Sequence, residues 1–157
     1  MENCIGSKLA FDWKVDGFDF ATKAKARFVA RGDMQRELVD FADLYAPTVA
    51  TSSVRLLAAF ANEYDLELCH FDVDQAFIRA DLKEDVFMRL PEGCGALSGK
   101  IVKLNKSLYG LRQASRKWYA MLKKCLLVLE FEQCLADSCF SFDSRGDSSF
   151  DSSSACG

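Results

Sequence analysis

Apolar residues in this chain recur with a period that switches between two and 3.6, and the switches mark out its elements. Residues 23–30, KAKARFVA, alternate in part and predict a strand with a basic side, closed by a turn at Arg31-Gly32-Asp33. Beyond the loop at Ala46-Pro47, Val54, Leu57, Ala58 and Ala61 recur at helical spacing. They predict a helix over about 52–64, with Thr51 or Ser52 as its cap. Leu66 to Val73 is rich in apolar residues and predicts a central strand running into Asp72. Val86–Leu90 and Ile101–Leu104 predict two further strands, separated by a loop that opens at Pro91-Glu92-Gly93 and closes at Ser98-Gly99. A second helix is predicted from near Arg112. Trp118, Met121, Leu122, Cys125, Leu126 and Leu129 form one apolar stripe on it. Arg112, Arg116, Lys117, Lys123 and Lys124 fall on the other side, a basic face turned to solvent or to a phosphate backbone.

A length of 157 residues supports one domain. Its apolar runs are far shorter than the ~18–20 residues of a membrane span, and no signal-like segment follows Met1. An intracellular protein without a membrane segment is expected, in cytoplasm or nucleus. Seven cysteines without a C-x-x-C spacing, and a single histidine, His70, point to reduced thiols rather than a zinc site. From about Asp137 serine, aspartate and glycine take over, and residues 143–157 are expected to form a disordered tail.

The formal net charge of −3 conceals two opposed segments. Residues 100–129 carry eight lysines and arginines and no acid, whereas residues 37–99 carry twelve acids against four basic residues. Such a pairing suits a protein that grips phosphates on one surface and metal ions on another, or it is simply two solvated faces. Local pattern leaves the individual residues equally open. Asp72 could close a strand or serve catalysis, Phe77 could be plain core, and Lys25 and Arg27 could be an exposed strand face. Trp118 and Tyr119 read as packing residues.

Four blocks occur in order: KARFVARGDMQ (25–35), YAPTVATSSVRLLAAFA (45–61), LELCHFDVDQAFIRADLKEDVFMRLPEG (66–93) and KLNKSLYGLRQASRKWY (103–119). Together they resemble the reverse transcriptase domain of copia-type long-terminal-repeat retrotransposon polyproteins. The resemblance covers about residues 11–142, leaving 1–10 as an N-terminal flank. It implies an α+β fold, the fingers and part of the palm of a right-hand polymerase, with an antiparallel palm sheet and packed helices. It implies DNA synthesis on an RNA or DNA template-primer from deoxynucleoside triphosphates with two Mg²⁺ ions, held about 3.5–4 Å apart by carboxylates.

By the resemblance Asp72 is the first metal-bridging carboxylate and Val73 offers its carbonyl oxygen to the nucleotide-bound ion. Phe77 lies under the sugar and excludes a 2′-hydroxyl, Lys25 and Arg27 clamp the triphosphate, and Tyr109, Gly110 and Gln113 border the incoming nucleotide. Arg112, Arg116, Lys117, Lys123 and Lys124 are the candidate nucleic-acid contacts.

The chain also departs from the pattern. Asp74 stands where relatives often lack an acid, Ser115 and Ser138 replace prolines, and Arg79-Ala80 replaces Asn-Gly in a turn that favours positive φ. The aromatic-x-Asp-Asp hairpin that supplies the remaining metal carboxylates is expected beyond Cys139 and does not occur before Gly157. The isolated chain is therefore expected to bind Mg²⁺ weakly at most and to be inactive. The thumb, connection and ribonuclease H parts of a full element are expected to be absent as well. The competing expectations are a non-catalytic nucleic-acid-binding module and a decayed transposon remnant.

Overall fold

A computed structural model describes residues 3–42 and 44–143. In chain order the elements are β1 (Cys4–Ile5), β2 (Ser7–Val15), β3 (Ala21–Ala30), α1 (Thr51–Glu63), α2 (Ala76–Arg79), β4 (Phe87–Arg89), β5 (Ile101–Lys103), α3 (Ala114–Val128), β6 (Phe131–Gln133) and β7 (Ser141–Asp143). The fold is a mixture of small sheets and few helices. It divides into two units, Met1–Ala46 with Phe71–Met121, and Pro47–His70 with Leu122–Gly157. Among the described residues no helix is long and apolar enough to cross a membrane.

In the first unit, β2 and β3 form a long antiparallel hairpin in which Ala10 faces Arg27, Asp12 faces Lys25 and Lys14 faces Lys23. Strand alternation puts Leu9, Phe11 and Trp13 on the opposite face from Lys8, Asp12 and Lys14. Asp16 closes the turn, its carboxylate accepting hydrogen bonds from Phe18 N–H at 2.9 Å and Phe20 N–H at 3.0 Å. A separate three-stranded sheet has the order β1-β4-β5. In it β4 and β5 pair antiparallel, as expected, and β1 joins β4 in parallel. Within the expected N-terminal flank, Cys4–Ile5 forms β1 and Ser7–Ala10 opens β2, and Ile5 is fully buried.

The core gathers Ile5, Ala30, Val86, Met88, Leu111 and Ala114, with Phe28, Phe77, Leu82 and Leu108 packed against it. These residues come from β1, β3, β4, α2 and the stretch leading into α3. The core therefore lies directly behind the segments that carry the candidate site.

The predicted central strand over Leu66–Val73 does not form. The segment joins no sheet, and Leu66, Leu68 and Phe71 are 57 %, 60 % and 88 % exposed. Apolar composition can mark a strand only where a neighbour supplies ladder hydrogen bonds, and none of the described strands pairs with it. Ala80 also differs from expectation: its φ of −81° is ordinary extended backbone, so its turn carries no left-handed strain. The left-handed residue is instead Gln75, at φ 55° and ψ 38°, immediately before α2.

In the second unit, β6 and β7 form a short hairpin. Helix α1 begins one residue before its predicted start, and neither Thr51 nor Ser52 caps it. The cap comes from the hairpin: Asp137 accepts hydrogen bonds from Ala50 N–H at 3.2 Å and from the Ser53 hydroxyl at 2.5 Å. The Ser53 hydroxyl, then the Cys139 and Ala50 N–H groups, hold the Asp137 carboxyl below its ordinary pKa.

The expected apolar stripe of α3 packs only in part. Trp118, Met121, Leu122 and Leu126 are half-buried, Cys125 and Leu129 are exposed, and Ala114 alone in this helix is buried. Asp143 ends β7; the rest of the expected disordered tail, 144–157, lies outside the described residues.

Candidate active site

Two residues apart on β3, Lys25 and Arg27 share one face of the hairpin and are both half-buried. Beside them lies a cleft of about 610 Å³, whose wall also includes Asp72, Val73, Asp74, Gln75, Phe77 and Tyr109. Lys25, Arg27, Asp72, Val73, Phe77 and Tyr109, drawn from three separate stretches of sequence, thus surround one space.

Each wall has a local cause. The left-handed Gln75 turns the chain sharply after Asp74 and starts α2, whose single turn is closed by Ile78 N–H donating to Gln75 O at 3.1 Å. Arg79 Nε donates to Asp74 O at 3.1 Å and ties the turn down. Asp72 and Asp74 are exposed while Val73 is half-buried. Phe77 projects from α2 onto the core and meets Tyr109 edge to face, with ring centroids 4.9 Å apart and an interplanar angle of 65°. Chemically the cleft offers two cations for an anionic group, an apolar ring pair, and hard oxygen donors at Asp72, Asp74 and the Val73 carbonyl.

The remaining predicted residues lie elsewhere. Gly110 stands behind the Tyr109 wall at φ +89°, and a Cβ added there would sit 2.2 Å from Ala30 O. Gln113, expected beside the nucleotide, does not line the cleft. It is 1 % exposed, and its amide donates to Asp40 O at 3.1 Å and accepts from Gln35 Nε2 at 3.0 Å.

The basic face of α3 divides in the same way. Arg112 donates from Nε to Gly32 O at 3.0 Å, with its guanidinium carbon 5.5 Å from the centre of the Phe41 ring. Lys117 pairs with Glu84 at 2.6 Å in a largely covered position, 15 % and 26 % exposed. Arg116 is half-buried, and Lys123 and Lys124 are exposed. Arg112, which stays exposed, and Lys117 thus each have a partner from a distant stretch of sequence that a helical wheel does not show.

Metal donors are sparse. Among the described residues no group of three or more histidine, cysteine, aspartate or glutamate side chains could hold an ion. Asp72 and Asp74 with one carbonyl oxygen suit a hard cation in kind but do not complete a site for two ions.

A protein-family profile described as "Reverse transcriptase (RNA-dependent DNA polymerase)" matches residues 2–149. The chain belongs to the reverse transcriptase family. Its relatives place it among the copia-type transposon polyproteins. It is 35 % identical over 145 residues to the "Retrovirus-related Pol polyprotein from transposon TNT 1-94" of Nicotiana tabacum, covering 91 % of this chain and 11 % of that protein. It is 32 % identical over 146 residues to the Pol polyprotein from transposon RE1 of Arabidopsis thaliana, covering 92 % of this chain and 10 % of the relative. The chain therefore spans about a tenth of the length of these curated relatives. No solved structure gives a significant match. The reverse transcriptase profile begins at residue 2, and Ile5 lies in the core.

Proposed function

We propose that the cleft binds a deoxynucleoside triphosphate and that this chain is the nucleotide-holding part of an RNA-directed DNA polymerase of a copia-type retrotransposon. The observation that carries this reading is the meeting of Lys25, Arg27, Asp72, Val73, Phe77 and Tyr109 around one cleft. In it the β2–β3 hairpin acts as fingers and the segment from Phe71 to β5 as part of the palm, within a domain over 11–142 that now also takes in β1. Lys25 and Arg27 bind the triphosphate with charge-assisted hydrogen bonds. Phe77, held on edge by Tyr109, closes the sugar side so that a 2′-hydroxyl meets a ring.

Reverse transcriptases are generally metal-dependent. The donors present here do not complete a two-ion site, so no step of this account runs through a metal. Weak Mg²⁺ binding at Asp72 and the Val73 carbonyl is the expectation. The same shortage of carboxylates leads us to expect no polymerisation by these 157 residues alone. A template-primer is the natural nucleic-acid partner, and the exposed Lys123 and Lys124 are the contacts from the basic segment that suit it best.

Equilibrium binding of dATP at low salt tests the reading. Lys25→Met and Arg27→Met should each weaken binding about tenfold, the loss of one charge-assisted contact. Phe77→Ala should narrow the preference for dATP over ATP, while Lys123→Glu should leave dATP binding unchanged. Binding of single-stranded RNA that depends on Lys123 and Lys124, with no dATP binding at all, would favour the non-catalytic nucleic-acid module. Primer extension that Asp72→Asn abolishes would refute the incompleteness of the site.

A further inference from the structure

Three buried polar side chains in the first unit, Gln35, Asp40 and Gln113, are 6 %, 1 % and 1 % exposed, and they form a chain whose direction is fixed. Arg112 N–H donates to Gln35 Oε1 at 2.9 Å, which leaves the Gln35 NH₂ to donate to Gln113 Oε1 at 3.0 Å. The Gln113 NH₂ must then donate, and it finds Asp40 O at 3.1 Å. Asp40 is anchored in turn, its carboxylate accepting from Arg36 N–H at 2.7 Å and from the Asn3 amide at 2.6 Å. Flipping either glutamine would set donor against donor or acceptor against acceptor, so one arrangement satisfies the whole chain.

The far end of this chain reaches the cleft. Arg112 Nε holds Gly32 O, Gly32 lies against the Gly110 carbonyl, and Ala30 N–H donates to Tyr109 O at 2.8 Å. Tyr109 is the residue whose ring meets Phe77 inside the cleft. We propose that Gln113, with Gln35, is a positioning residue that fixes the Tyr109 wall of the cleft from behind and makes no contact with the nucleotide. The functional part of this inference rests on reading the cleft as a nucleotide site; the geometric part does not.

Two readouts separate those parts, both on the full chain with Gln113→Leu. In the absence of ligand, ring-to-ring nuclear Overhauser effects between Tyr109 and Phe77 should be lost. Exchange protection of the Ala30 amide should fall about tenfold while amides in β4 and β5 keep theirs. With dATP as the probe, affinity should fall about tenfold, the cost of a misplaced contact. Lys25→Met serves as the contrast, weakening dATP binding with the ring contact and Ala30 protection intact. If Gln113→Leu does not fold, Gln35→Leu carries the test, because it leaves the bond from Gln113 to Asp40 in place. A folded variant that keeps both the ring contact and Ala30 protection overturns the proposal. Loss of both readouts in Gln113→Leu, together with a wild-type chain that keeps them but binds no dATP, would sustain the positioning role and sink the nucleotide reading.

Discussion

Replacing Gly110 by alanine should be among the most damaging single-methyl additions in the first unit. At φ +89° an L-residue pays about 1–2 kcal/mol for the left-handed backbone. The new Cβ would stand 2.2 Å from Ala30 O and 2.6 Å from Val29 Cγ1, closer than real Cβ contacts come. Ala30 O is backbone, so relief requires moving the 109–111 segment off the end of β3. That movement breaks the 2.8 Å bond from Ala30 N–H to Tyr109 O, worth about 0.5–1.5 kcal/mol. The total is about 1.5–3.5 kcal/mol, a drop of roughly 3–14 °C in melting temperature for a chain of this size. Gly93→Ala is the control, since at φ +95° it bears the same backbone strain with nothing within 4 Å of the added carbon. Gly32→Ala is the reciprocal test, its Cβ falling 2.0 Å from Gly110 O without a left-handed φ. The double variant should cost less than the sum of the singles, because both disturb one contact. Urea unfolding followed by circular dichroism measures all four. A Gly110→Ala variant no less stable than Gly93→Ala would refute the close approach of the Tyr109–Gly110 segment to β3.

Lys117→Met should cost about 1–3 kcal/mol, because it leaves the largely covered Glu84 carboxylate without its cation. Lys103→Met, which removes the exposed pair with Asp85, should cost less than about 1 kcal/mol in the same urea titrations. Burial alone would raise the Glu84 pKa, but the Lys117 ammonium and nearby N–H groups hold it below the ordinary value. Its contribution is therefore complete above the unfolded value of about 4.3 and lost as pH falls through the lower folded value. Lys117→Met should flatten that part of the pH–stability curve. Asp137→Asn should destabilise α1, read as lost helical signal and faster exchange at Ser53 and Val54, and in the wild type the same weakening should set in as pH falls below about 4.

Periodicity located α1, α3, β3, β4 and β5 because each carries its own spacing of apolar residues bounded by turn signals. It passed over β2, although Leu9, Phe11 and Trp13 alternate with Lys8, Asp12 and Lys14 across the same span. That strand borders an exposed hairpin face, where alternation reflects pairing with β3 rather than a buried side. Leu66–Val73 shows the converse, apolar composition without a ladder partner. The cleft was legible as a set of residues, because Lys25, Arg27, Asp72, Phe77 and Tyr109 lie in motif blocks. The roles of Arg112, Gln113 and Lys117 were not, since they depend on Gly32, Gln35 and Glu84 coming close across the fold. Gln75 gave no signal at all: a left-handed glutamine is neither the glycine nor the asparagine that usually marks such a turn.

The central claim is most directly tested by photo-crosslinking an azido-dATP to the full chain and mapping the labelled peptides. Label is expected within residues 25–28, 72–78 and 109, competed away by dATP and reduced by Lys25→Met. Label confined to the Lys123–Lys124 region, or label that dATP does not displace, would contradict it.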